Sequence, residues 1–342
     1  MFNLQIFDVS ALLHYGMNSS RYKDDASYGY LVGGIHKVMY HIASAFNNRD
    51  SVVLAFDGQN NFRKKLMPEY KIGRVSNTAV ISQAEMLYEN LPRAGITCYK
   101  FDGYEGDDVI NWCCKQATGY NTIYIYGNDK DLIHNVRGNI AFKNINDGEN
   151  LVTAANFPYA IERGVYIPFN FINIRKVLTG CKSDKVPPFV SESGLKGSDI
   201  FDWYLQVLDA KKVDFIYQNT ANPDLLLRCL HYVKDLTDKD FEELQRRIKI
   251  IFPAEMPEDF TCTPTAWNKY DKDCMEWFLS YVNDFASIRS LRLHKRNLTD
   301  EDKESLRAKQ RLLQNGAFAV DRQMVVHDMD AYDDSFITLK EF

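Results

Sequence analysis

FDGYEGDD, residues 101–108, and NTIYIYGNDKD, residues 121–131, hold two acidic groups a short distance apart: Glu105, Asp107 and Asp108, then Asp129 and Asp131. Asn121 to Tyr126 is a run of β-branched and aromatic residues that reads as a buried strand, and Ile96 to Phe101 reads as another. The first acidic group opens a helix after one strand, and the second group follows the other. Like charges held close raise each other's pKa and oppose folding unless a cation joins them. A hard divalent metal is the natural partner for such acids.

The chain upstream repeats this arrangement. Asn3 to Phe7 reads as a strand ending in Asp8, and Ser51 to Phe56 as a strand ending in Asp57-Gly58. Between them, Leu31, Ile35, Val38, Ile42 and Phe46 recur at helical spacing within Tyr30 to Phe46, as in a helix crossing from one strand to the next. A basic segment follows, Phe62-Arg63-Lys64-Lys65-Leu66-Met67-Pro68-Glu69-Tyr70-Lys71-Ile72-Gly73-Arg74. Ser82 and Glu85 then have the spacing of a capping box and predict a helix start at Ser82. This rhythm of strand and helix predicts an α/β fold with a mainly parallel central sheet flanked by helices. Sites in such sheets form outside the carboxyl ends of the strands. Asp8, Asp57, the Glu105 group and the Asp129 group are all expected there.

Two short strand-like runs follow, Ile140 to Ile145 and Glu149 to Thr153, and beyond Phe169 the chain reads mainly helical. Helix starts are signalled at Thr237 to Asp240 and at Thr299 to Asp302, with Pro253 and Pro257 marking a break. Asp328 to Phe342 reads as an acidic, partly ordered tail.

With 342 residues, 45% of them apolar, the chain can bury one large core or two. No stretch approaches a membrane span, and the N-terminus lacks the order of a signal peptide, so a cytoplasmic protein with no membrane partner is expected. Seven cysteines without a CxxC pair argue against a disulfide framework and against a zinc site. Cys113 and Cys114 are expected as buried thiols in a helix, and His134 as a packing histidine. Net charge is −5, yet without the eight acids assigned below to one site, 41 basic residues face 38 acidic ones. Whole-chain charge therefore does not exclude a nucleic-acid partner.

The strand ending in Asp8, then FDG at 56–58, PEYKIGR at 68–74, GYEGDD at 103–108, NDKD at 128–131 and LTGCKSDKVP at 178–187 occur in the order and rough spacing of the structure-specific 5′-nucleases. That family includes bacteriophage flap endonucleases, bacterial polymerase-associated 5′-3′ exonucleases and their eukaryotic relatives. The resemblance covers about the first 190 residues. It implies a 5′-nuclease α/β core over 1–167 and a mainly helical region over 168–342, with a degenerate helix-hairpin-helix-like DNA-binding segment at about 168–205. It also implies two Mg²⁺ ions, replaceable by Mn²⁺. The first would be held by Asp8, Asp57, Glu105 and Asp107, with Asp129 close by and Asp108 in the same group, and the second by Asp131 and Asp184. Two such ions activate an attacking water and neutralise attacking and leaving oxygens, and oxygen-only ligands suit these metals. Lys71 and Arg74 match basic residues that approach the scissile phosphate. Arg63, Lys64 and Lys65 are expected to contact backbone phosphates, Lys196 to lie in the DNA-binding segment, and Tyr15 to stack on a terminal base.

The departures from the family pattern carry information too. Cys181 stands where the family usually has an acid, so the second metal position loses a ligand and a neutral thiol is expected beside the site. The glycine-rich hairpin that grips duplex, often with K⁺, is not evident in VPPFVSESGLKGSD, where Gly194 to Gly197 is at most a remnant. The implied activity is that of a phage-type 5′-3′ exonuclease or flap endonuclease of DNA replication or repair. It would act on 5′ flaps or 5′ ends of DNA or on RNA–DNA hybrids, with RNase H activity within its range. Single-strand-binding protein, clamp or polymerase are the expected protein partners. The competing reading is a non-catalytic DNA-junction binder with a degraded second metal site. A haloacid-type phosphatase would need an aspartate where Ser10 stands.

Overall fold

A computed structural model describes residues 2–18, 32–74, 77–146, 151–156, 159–162, 165–168, 172–209, 223–256 and 260–293. The N-terminal stretch forms β1 (Leu4–Asp8), α1 (Val9–Met17), α2 (Gly34–Asn47) and β2 (Ser51–Phe56). Next come α3 (Phe62–Leu66), α4 (Thr78–Asn90), β3 (Cys98–Lys100), α5 (Gly106–Gln116) and β4 (Ile123–Gly127). Then β5 (Ile140–Asn144), β6 (Leu151–Val152), β7 (Tyr159–Glu162) and β8 (Val165–Pro168) precede a helical run. That run is α6 (Ile172–Thr179), α7 (Gly197–Asp209), α8 (Pro223–Leu230), α9 (Asp238–Ile251) and α10 (Lys272–Leu293). Tyr30, Leu31, the Thr299 helix start, Pro257 and the 328–342 tail lie outside the described residues.

The chain divides into two compact units along a different line from the 167/168 boundary. One comprises residues 1–56, 76–99 and 263–342, and the other 57–75 and 100–262. In the first unit the strand order is β3-β2-β1. β1 and β2 run parallel, from Leu4 opposite Ser51 to Asp8 opposite Ala55. Both strands are buried along their whole length, so β2 reads as a continuous apolar run from Val52 to Phe56, while in β1 the buried Gln5 donates to Asp50 Oδ2 at 2.8 Å. The late segment joins this unit through a bridge between Val52 and Thr265 and a buried hydrogen bond between His36 Nε2 and Asn283 Oδ1 of 2.9 Å.

In the second unit the order is β4-β5-β6. β4 pairs with β5 in parallel, and β6 returns antiparallel on β5. β7 and β8 form a separate antiparallel pair that the sequence pattern did not reveal. The helical part has its own core, in which Val177, Leu178, Phe189, Tyr204 and Leu244 are buried together. A smaller cluster joins Met67, Tyr70, Cys181, Val186 and Ile250. It fixes the PEYK segment beside the LTGCKSD segment. The start of α7 packs closely on the end of α6, where a Cβ on Gly197 would lie 2.0 Å from Leu178 O, so only glycine fits there.

The mainly parallel α/β fold with a helical C-terminal region follows the sequence expectation, apart from the β7–β8 pair and the start of one helix. The helix expected from Ser82 begins at Thr78, because Asn77 caps it by accepting hydrogen bonds from Ala79 N and Val80 N. Four more residues then join the helix, and Ala79 and Val80 are buried. By contrast, Thr237 and Asp240 form a capping box at the start of α9, as their spacing predicts. Asn77→Ala should cost about 1 kcal/mol in urea denaturation, whereas the exposed Ser82→Ala should stay within about 0.5 kcal/mol; equal effects would contradict this helix start.

Candidate active site

The second unit holds a cleft of about 170 Å³ lined by Glu105, Asp107, Asp108, Asp129, Asp131 and Asp184 together with Arg63, Tyr70, Lys71, Arg74, His134 and Lys176. Its walls come from α3 and the turn after it, the start of α5, the loop after β4, and α6 with the loop that follows. Gly58 makes the first of these junctions possible. A Cβ there would lie 1.8 Å from Phe101 O, and its N–H donates to Tyr104 O at 2.8 Å. The neighbouring Asp57 Oδ1 accepts from Gly106 N at 2.7 Å, a favourable place for an anion at the start of α5.

Asp108 lies on the floor of the cleft and is fully buried. Its carboxylate accepts two hydrogen bonds from the Arg63 guanidinium, at 2.7 and 2.6 Å. It also accepts from Glu105 N at 2.9 Å and from Ala254 N at 2.7 Å. Arg63 further donates to Ile250 O at 2.8 Å and to Phe252 O at 3.2 Å. Burial opposes the charge on Arg63, but Asp108 and Glu105 outweigh it and raise its pKa. Two sequence expectations are corrected here. Arg63 is only 3% exposed and its donors are committed, so it is not a backbone-phosphate contact. Asp108 has its lone pairs filled by protein donors, so it is a structural counter-ion rather than a metal ligand.

Above this floor Glu105, Asp129, Asp131 and Asp184 each meet a donor. Glu105 accepts from Lys71 Nζ at 2.6 Å and from Tyr70 OH at 3.0 Å. Burial, then the Glu105 charge, raises the Tyr70 pKa, so its hydroxyl stays a donor. Lys71 adopts a left-handed backbone with φ 54°, at a cost of about 1 kcal/mol for a side-chain-bearing residue. Its N–H donates to Asp184 O at 2.9 Å. Arg74 donates to Asp184 Oδ1 at 2.9 Å and to Ser183 O at 3.1 Å. Lys176 pairs with Asp131 Oδ2. Asp129 Oδ1 accepts from Asp131 N at 2.9 Å. Burial, and then the Asp129 charge, raises the Asp131 pKa. His134 Nδ1 donates to Asp131 O; burial lowers its pKa to about 4, so it is neutral near pH 7, and its enclosed Nε2 meets no hydrogen-bond partner among the described residues. Cys181, expected as a neutral thiol, is buried, with its pKa raised chiefly by that burial, and Sγ donates to Asp184 Oδ2 at 3.0 Å.

The cleft thus collects Glu105, Asp107, Asp108, Asp129, Asp131, Asp184, Arg63, Lys71 and Arg74 from the residues singled out in the sequence. Asp57 is exposed at the α5 start. Lys64 and Lys65 are exposed on α3, and Lys196 is exposed before α7. Asp8 and Tyr15 belong to the first unit, where Asp8 caps α1 by accepting from Ala11 N at 3.1 Å and Lys37 Nζ lies 4.7 Å from the Tyr15 ring. Sequence reasoning missed Lys176, Tyr70 as a Glu105 donor, and Asn173, which also lines the cleft. Lys176 carries no local signal in the sequence.

Among the described residues no three acids or other ligating groups form a ready-made metal cage. The donor chemistry is nevertheless that of a hard cation: six carboxylates line the cleft against four cationic side chains, an excess of two negative charges. No helix among the described residues is long and apolar enough to cross a membrane.

Residues 3–160 match the family model described as 5′-3′ exonuclease, N-terminal resolvase-like domain. Among curated relatives, DNA polymerase I of Borreliella burgdorferi is 24% identical over 277 residues, 80% of this chain and 28% of that protein. DNA polymerase I of Lactococcus lactis subsp. lactis is 31% identical over 141 residues, 40% of this chain and 16% of that protein. The 5′-3′ exonuclease of Buchnera aphidicola is 33% identical over 110 residues, 31% of this chain and 38% of that protein. The chain therefore spans well under half the length of these relatives. Solved structures with some likeness include the T5 D15 protein co-crystallised with metal ions, 16% identical with a TM-score of 0.42, covering 73% of this chain and 88% of that one.

Asp108→Ala leaves the Arg63 guanidinium buried without its counter-ion and should cost about 3–5 kcal/mol in chemical denaturation. The double variant Arg63→Met, Asp108→Leu should recover most of that loss, and a single-variant cost under about 1 kcal/mol would contradict the assignment. Over residues 3–160 the chain is similar to the N-terminal resolvase-like domain of 5′-3′ exonucleases.

Proposed function

We propose that this protein is a divalent-metal-dependent 5′-nuclease that hydrolyses phosphodiester bonds near the 5′ end of DNA flaps or of RNA primers in hybrids. The observation that carries the reading is the single cleft in which carboxylates from three separate stretches meet Lys71 and Arg74 of PEYKIGR. Glu105, Asp107 and Asp129 are the residues to hold a hard cation such as Mg²⁺ or Mn²⁺, with Asp57 beside them at the α5 start and Asp8 assigned by motif alone. Such an ion supplies Lewis-acid activation of the phosphate and of the attacking water.

The chain's own residues do the rest. Lys71 is held by its strained backbone and by Glu105, and it presents a cation where negative charge accumulates on the phosphate oxygens. Arg74 is half exposed, with its side chain 52% accessible, and reaches outward to an adjacent phosphate as a planar fork. Lys64, Lys65 and Lys196 add salt-sensitive contacts along the nucleic-acid backbone, and Tyr15 offers a stacking surface. Water adds to phosphorus as the bond to the 3′ oxygen breaks, leaving a 5′-phosphate and a 3′-hydroxyl. A role in phage DNA replication or repair, with single-strand-binding protein, clamp or polymerase as partners in the host cytoplasm, is part of this reading.

A second reading, a DNA-junction binder without catalysis, is favoured by one observation: Asp131 and Asp184 are already ion-paired, to Lys176 and Arg74. Asp129→Asn keeps an oxygen to cap the turn after β4 but removes a charge. With Mg²⁺ present it should lower cleavage of a 5′-flap substrate by about 100-fold or more while leaving the melting temperature near wild type. Full activity in that variant would sink the nuclease assignment of this cleft, and a wild-type protein that binds the flap without cutting would favour the junction binder.

A further inference from the structure

We infer that the position expected to take a second divalent ion is closed by the protein's own Lys176, so that without nucleic acid this chain holds one divalent ion rather than two. The inference rests on the metal-dependent reading above and concerns the ion count within it. Asp131 and Asp184 are the carboxylates of that position, and both are already neutralised. Lys176 Nζ sits on Asp131 Oδ2, and Arg74 holds Asp184 Oδ1 at 2.9 Å. The other Asp184 oxygen accepts from the Cys181 thiol at 3.0 Å, where an acid would have supplied a further ligand and a further negative charge.

The charge balance separates the two positions. Arg63 and Asp108 compensate each other on the floor. Asp131 and Asp184 are balanced by Lys176 and Arg74. Glu105, Asp107 and Asp129, the acids of the first position, lie outside these pairs, and Lys71 joins them through Glu105. A second ion would have to break two ion pairs and lie beside an ammonium group. The Lys176 side chain is only 16% exposed on α6. Its neighbours Val177 and Leu178 are packed in the helical core. An ammonium here performs one task of a second metal, fixed positive charge near the phosphate, without needing the missing acid.

The test counts bound ions rather than turnover. The full chain, free of nucleic acid, is titrated with Mn²⁺ by calorimetry while electron paramagnetic resonance measures free Mn²⁺. Wild type should bind one ion, and the double variant Lys176→Met, Cys181→Asp should bind two. Lys176→Met alone should gain a weak second ion, which keeps the test decisive if the double variant fails to melt cooperatively. Two ions on wild type, or one ion on wild type and on every folded variant, would overturn the inference. No bound ion on any folded form would instead overturn the metal-dependent reading itself.

Discussion

The buried pair of Arg63 and Asp108 is the constraint on which the second unit depends. One guanidinium and one carboxylate, both out of water, tie α3 to the start of α5 and to the chain leaving α9. Burying two charges is costly unless geometry and extra hydrogen bonds offset the lost hydration. Here the two parallel Arg–Asp bonds, two carbonyls accepting from Arg63 and two amides donating to Asp108 provide that offset. Because Asp108 also receives the Glu105 amide, the same pair sets the backbone that presents Glu105 and Asp107. A residue whose charge suggests a ligand is the anchor for the residues around it.

Above that anchor, the cleft is held together by a near-cancellation of charge. Carboxylates placed this close would repel, and the chain answers by bringing a cation to several of them: Lys71 to Glu105, Arg74 to Asp184, Lys176 to Asp131. The cancellation is incomplete, since six carboxylates line the cleft against four cationic side chains. The left-handed Lys71 is consistent with this distribution, since local strain of that kind concentrates at functional sites. The small core of Met67, Tyr70, Cys181, Val186 and Ile250 holds the strained turn in place.

The strands and the acids that follow them were legible in the sequence, for identifiable reasons. β2 was readable to the residue because a fully buried strand is an unbroken apolar run bounded by turn formers. The acids at the start of α5 and after β4 were placed by their strands. What escaped was whatever depends on long-range partners. Whether a basic residue faces solvent or a buried acid is not encoded locally, so Arg63 read like Lys64 and Lys65 although it points inward. Lys176 gave no signal because its partner lies 45 positions away in sequence. The start of α4 was misread because two capping signals compete there, and Asn77 prevails by bringing Ala79 and Val80 into the core. The division into two units was hidden because both are assembled from separated stretches.

The reading of the cleft as a metal-dependent nuclease site stands most directly on the chemistry of its product. A 5′-flap labelled at its end is mixed with excess wild-type protein in Mg²⁺ or in a chelator, and product ends are mapped in a single turnover. Cleavage near the 5′ end that appears only with Mg²⁺ and leaves 3′-hydroxyl and 5′-phosphate termini is the predicted result. Bound but intact flap at millimolar Mg²⁺, or cleavage that proceeds equally in chelator, would contradict it.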